Sequence, residues 1–156
     1  MPKKHRISTK RAVIYGILGL LAVLLAAYVV GCHVPRALIP DKESQFEPTI
    51  THVFVGTDNS HDMLDQLDED ALMELVRSAR YQRSVLPTGY HALQLRDDMI
   101  QIGLVWVPDR FGSGWSFWDI ILTPEWQVVS HGDWNWMHPI EDGGALYEQV
   151  YELIYG

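Results

Sequence analysis

The sequence predicts an α+β domain, a mainly antiparallel sheet with two helices packed on it, carried behind one N-terminal transmembrane helix. Three observations lead there: an uncharged apolar run near the N-terminus, a two-residue apolar period through the middle of the chain, and a helical period at two separated places.

Residues 1–11 contain Lys3, Lys4, Arg6, Lys10 and Arg11 and no acidic side chain. Ala12 to Val30 then runs 19 residues without a charge, and about 20 apolar residues are what a helix needs to cross a hydrocarbon core ~30 Å thick. Residues 12–31 are therefore the expected membrane anchor. The stretch just after it offers only Arg36 and Lys42, the latter between Asp41 and Glu43. Basic residues stay with the cytoplasmic flank, so the expected topology is single-pass in the cell membrane, with residues 1–11 cytoplasmic and the rest outside.

Val29-Val30-Gly31-Cys32 resembles a relaxed bacterial lipobox, a signal cut before a cysteine that then carries lipid. The resemblance implies an alternative, a lipoprotein anchored through Cys32. The match departs from the favoured pattern at Val29, where Leu is usual, and at Val30, where a small residue is usual. The apolar run also exceeds the 7–15 residues of a cleaved signal, so an uncleaved helix is the first expectation. Both readings put the domain outside.

Residues 32–48, with Pro35, Pro40 and Pro48 around Asp41-Lys42-Glu43-Ser44, have linker composition. That leaves residues 49–156 as the folded domain. Thr51 to Val55 is β-branched and aromatic, a strand ending in the Thr57-Asp58-Asn59-Ser60 turn, with Met63 to Leu67 as a short hairpin partner. Asp68 is an N-cap for a helix from Glu69 to Tyr81, because Leu72, Leu75, Val76 and Ala79 recur at helical spacing; Arg77, Arg80 and Arg83 are expected to be solvated.

From Tyr90 the period becomes two. His91, Leu93 and Leu95, the Asp97-Asp98 turn, and Ile100, Ile102, Leu104 and Trp106 read as a hairpin. Ser116 to Leu122 and Trp126 to Ser130 read as a second strand pair around Thr123-Pro124-Glu125. Leu146, Val150, Leu153 and Ile154 mark a closing amphipathic helix from Ala145 to Tyr155.

Composition excludes one class of function. From Asp41 onward there are 20 acidic and 6 basic residues, a formal charge of −14, whereas binding a phosphate backbone needs clustered Lys and Arg. Nucleic acid is not an expected partner. A single cysteine, Cys32, makes no intrachain disulfide, so the domain is held by its core.

The candidate sites are few. Asp58, Ser60, Asp62 and Glu69 occupy calcium-loop positions, but Met63 stands where such a loop needs glycine; a turn followed by a capped helix accounts for them. His131, Asp133 and His138 match no zinc spacing. No serine lies in a nucleophile motif, and acids for glycoside hydrolysis, Asp119, Glu125, Asp133 or Glu141, pair in no distinctive way. No metal or cofactor is expected.

Aromatic residues are the distinctive feature: all six tryptophans lie between Trp106 and Trp136. Trp106 and Trp118 share strand faces with aliphatic residues and are expected in the core. Trp115, Trp134 and Trp136 lie in polar loop sequence beside Asp133 and Asn135, and these five form the candidate ligand surface. The resulting expectation is a non-catalytic binding or regulatory module that contacts a protein or glycan outside the membrane. Two alternatives stay open, an accessory subunit of a membrane complex and a carboxylate-dependent hydrolase.

Overall fold

The structure, a computed structural model, describes residues 9–39, 48–57, 61–86, 96–106, 116–131 and 136–156. The chain divides into two compact units, Met1–Val34 and Pro35–Gly156.

The first unit is helix α1, Thr9–Cys32. Its 22-residue stretch Arg11–Cys32 is long and apolar enough to cross a membrane or serve as a signal anchor. Every residue from Arg11 to Tyr28 is exposed, and a helix apolar on all sides is suited to lipid or to a large core. The amide of His33 closes the last turn, donating to the carbonyls of Val29 and Val30 at 3.3 and 3.1 Å. Cys32, the residue of the lipobox resemblance, ends this continuous helix and is only 3% exposed.

The second unit is α+β. Its strands among the described residues are β1 (Arg36–Ala37), β2 (Thr49–Val55), β3 (Arg80–Tyr81), β4 (Ile100–Trp106), β5 (Ser116–Leu122), β6 (Gln127–His131) and β7 (Met137–Glu141). They form one 7-stranded sheet in the order β1-β3-β7-β6-β5-β4-β2, with every pairing antiparallel. The two helices are α2 (Glu69–Ser78) and α3 (Gly143–Tyr155).

Helix α2 starts where the sequence places it: the Asp68 carboxylate accepts from the amide of Ala71 at 3.1 Å. It stops at Ser78 rather than Tyr81, because Ala79 turns extended and Arg80–Tyr81 joins the sheet between β1 and β7. Arg77, Arg80 and Arg83 are exposed, as their charges require. Helix α3 is entered through Asp142, whose positive φ of 51° lies in the left-handed region that short polar side chains tolerate. Gly143 follows because the helix start comes down on β6; a Cβ there would sit 2.6 Å from Cβ of Gln127.

Inner-face residues of the sheet, among them Val53, Ile102, Leu104, Ile120 and Val129, join Leu72 and Val76 of α2 and Leu146 and Val150 of α3 in one buried cluster. Both helices therefore pack on the same face, as the alternating and helical periods imply. A smaller cluster of Met99, Ile121 and Met137 contains no helix residue and belongs to the other face.

Four expectations are corrected. The segment from Arg36 to Ile39 is not linker: β1 forms the sheet edge and Leu38 and Ile39 are buried in the main cluster, since two adjacent aliphatic residues gain more from the core than from water. Met63 to Leu67 is no strand. Only Asp62 bridges to Phe54, and Leu64–Gln66 forms a 3-10 turn, because the Asp62 carboxylate accepts from the amides of Val53 and Leu64 at 2.9 and 3.0 Å and folds the chain back. The β4 strand is not paired as a hairpin with residues 91–95, which lie outside the described residues; β2 and β5 fill its two edges. Finally, residues 137–141, over which no strand is predicted, form one, and Pro139 in it is exposed.

Candidate functional site

The face of the sheet away from the helices is built from the alternate residues of the same strands. Strand register places His52, Gly103, Asp119, Ser130 and Met137 in one row across β2, β4, β5, β6 and β7. The next row contains Phe54, Gln101, Ile121, Val128 and Pro139. A bulge between Ile50 and His52 sets this register, turning His52 and Phe54 outward while Ile50 and Val53 stay inward.

Gly103 makes the arrangement possible. A Cβ at this position would lie 2.1 Å from Cε1 of His52, so the imidazole lies directly over the bare backbone of β4. The ring thereby reaches across one strand toward the next: Nε2 of His52 is 3.9 Å from Oδ1 of Asp119. The other ring nitrogen, Nδ1, is 3.0 Å from the hydroxyl of Thr51, and Phe54 stacks on the ring with centroids 4.5 Å apart.

Asp119 is the unusual member. Its side chain is 18% exposed, and its Oδ1 accepts from Nε2 of Gln101 at 3.3 Å. Burial raises its pKa above the ordinary carboxylate value, while the bond from Gln101 and the charge of a protonated His52 pull it back. Among the described residues it has no ion pair with Lys or Arg. Two residues earlier on the same face, Phe117 is 56% exposed.

The residues singled out by sequence fare unequally. Trp115, Asp133, Trp134 and Asn135 lie outside the described residues. Trp136 precedes β7 and is 36% exposed. The strand ends Trp106, Ser116, His131 and Trp136, from which residues 107–115 and 132–135 depart, lie at one end of the sheet, and Phe117 is there too. Trp118 is in the core as expected; the side chain of Trp106 is not among those described.

His138 is on β7, where its Nδ1 accepts from the amide of Ser84 at 3.1 Å and its ring stacks on Tyr81. Among the described residues no group of three or more His, Cys, Asp or Glu is placed to hold a metal ion. Of the described acids considered for hydrolysis, Glu125 in the β5–β6 turn bonds Arg96, Glu141 stands opposite Arg80, and Asp119 is mid-strand beside His52 and Gln101. They do not flank a common point.

Sequence reasoning missed His52, Gln101 and Gly103 as a group. The available signal was Gly103 itself, a glycine inside an otherwise aliphatic strand, which marks close approach of another group. What approaches it comes from a strand some fifty positions earlier, and that pairing is not a local property. No family model matches the chain, and no curated protein or solved structure matches it.

Proposed function

We propose that the protein is a membrane-anchored recognition module, with α1 in the membrane, the domain on the non-cytoplasmic side, and the ligand taken at the aromatic end of the helix-free sheet face. The observation that carries this reading is the exposure of two large aromatic side chains, Phe117 and Trp136, at the sheet end from which the tryptophan-bearing segments depart. Large exposed rings contribute little to folding and much to binding. Orientation rests on the five basic residues before Ala12, and the unbroken helix through Cys32 favours an uncleaved anchor over the lipoprotein alternative. A reporter fused after Gly156 should be active only outside the cytoplasm; activity confined to the cytoplasm overturns the topology. Phe117→Ala and Trp136→Ala should leave melting nearly unchanged and weaken capture of whatever ligand or protein the full chain retains.

A second reading, accessory subunit of a membrane complex, draws on Tyr151 and Tyr155. They stack on α3 with centroids 4.6 Å apart and are both exposed. Under that reading, a partner that copurifies in mild detergent is lost in Tyr151→Ala and retained in Phe117→Ala.

A further inference from the structure

A carboxylate in the middle of a sheet, partly stripped of water and with no lysine or arginine paired to it among the described residues, destabilises the fold that holds it. An amide or a small apolar residue at position 119 would fold at less cost, and groups kept against stability are characteristic of sites rather than scaffolds. Around Asp119 the face supplies a specific set of chemistries. Gln101 brings an amide that both donates and accepts. Gly103 lets the flat imidazole of His52 lie on the bare backbone of β4 beside the carboxylate. Phe117, two residues along β5 and thus about 7 Å away on the same face, presents an exposed ring.

We propose that the sheet surface at Phe117, Asp119 and Gln101 is a carbohydrate subsite in which one neutral pyranose ring stacks on Phe117 and donates its hydroxyls to Asp119, with Gln101 completing the hydrogen bonds. The proposal rests on the helix-free face being the recognition surface and names its ligand class. Three properties select that class. An aromatic face suits the C–H side of a sugar ring. A carboxylate beside an amide matches adjacent hydroxyls, which donate to one and exchange bonds with the other. The formal charge of −14 from Asp41 onward repels anionic ligands, so the sugar is uncharged.

The test uses the full chain in micelles of a detergent without a sugar headgroup. Cellotetraose, chitotetraose and mannotetraose are titrated by calorimetry, with tetragalacturonate as the anionic control. At least one neutral tetrasaccharide should bind saturably and the anionic one should not. Asp119→Asn, which keeps the shape and the acceptor for Gln101, should weaken binding about tenfold or more, the size of one hydrogen bond to a charged group. Its melting temperature should stay level or rise, which separates lost binding from lost fold. Phe117→Ala should weaken binding similarly, whereas Arg77→Ala on the exposed side of α2 should leave it unchanged. Failure of all three neutral sugars to bind, or binding that survives both Asp119→Asn and Phe117→Ala, overturns the inference. If no sugar binds but a copurifying protein is lost in Phe117→Ala, the recognition face stands and only the carbohydrate class falls. If sugar binding survives Phe117→Ala and Trp136→Ala, both fall.

Discussion

Strands β4 and β5 present two different surfaces to their two sides. On one side Ile102, Leu104, Ile120 and Leu122 are fully buried beneath α2 and α3. On the other, interleaved between them, stand Gln101, Gly103, Phe117 and Asp119. Since side chains alternate along a strand, each face is free to answer a separate demand. The inner face answers to packing, where its buried residues, Trp118 included, are apolar and interchangeable only by volume. The outer face contains a glycine that accommodates a histidine from another strand, an acid paired with no lysine or arginine among the described residues, and an exposed ring. None of these is what stability alone selects.

That contrast can be broken by substitution. The inner face should be the more sensitive: Leu104→Ala should cost about 2–5 kcal/mol, because it removes buried methylenes and leaves a cavity under the helices. Chemical denaturation reads this directly. On the outer face Gly103→Ala should cost about 1–3 kcal/mol, by overpacking rather than by a cavity, since the added methyl must expel the His52 ring from its place. In the double variant His52→Ala with Gly103→Ala much of that cost should disappear, and additivity of the two would mean the ring and the glycine are not coupled.

A smaller effect, opposite in sign, is expected at Asp119. Its folded-state pKa is raised by burial, so its contribution to stability is fully present below the ordinary carboxylate pKa of about 3.9 and is lost as pH rises through the folded value. Asp119→Asn does not titrate at this position. It should therefore melt above wild type at pH 7, and the difference should close as the pH is brought below that ordinary value. A variant that melts lower at pH 7, with the gap persisting in acid, would mean that the carboxylate is structural.

How much of this was legible in the sequence differs between the faces for the same reason. Aliphatic alternation in Ile100–Trp106 and Ser116–Leu122, the Asp68 cap and the helical spacing of Leu72 and Val76 are local patterns, and they located four strands and both domain helices. The N-terminal apolar helix was legible from length and the absence of charge alone. Short strands were not: Arg36–Ala37 and Arg80–Tyr81 exist only because each finds a partner far along the chain, and two residues have no period to read. Strand β7 was hidden by Pro139 and His138, which break the apolar pattern, and proline is accepted there with its side chain turned to solvent. The outer-face group was hidden most deeply, because His52, Gly103 and Asp119 become neighbours only through two strand pairings and a bulge. Tryptophan clustering directed attention to the end of the sheet where Trp136 lies, but not to Phe117.

Phe117 and Trp118 are adjacent in sequence, both aromatic, and on opposite faces of one strand, at 56% and 7% exposure. Equilibrium unfolding of Phe117→Ala and Trp118→Ala beside wild type is therefore the most direct test that one face is scaffold and the other is surface for recognition. The account predicts that Trp118→Ala costs about 3–5 kcal/mol, as truncation of a buried aromatic does, while Phe117→Ala stays within about 0.5 kcal/mol of wild type. Equal losses at the two positions would contradict it, since Phe117 would then be part of a core and the face it stands on would not be free to bind.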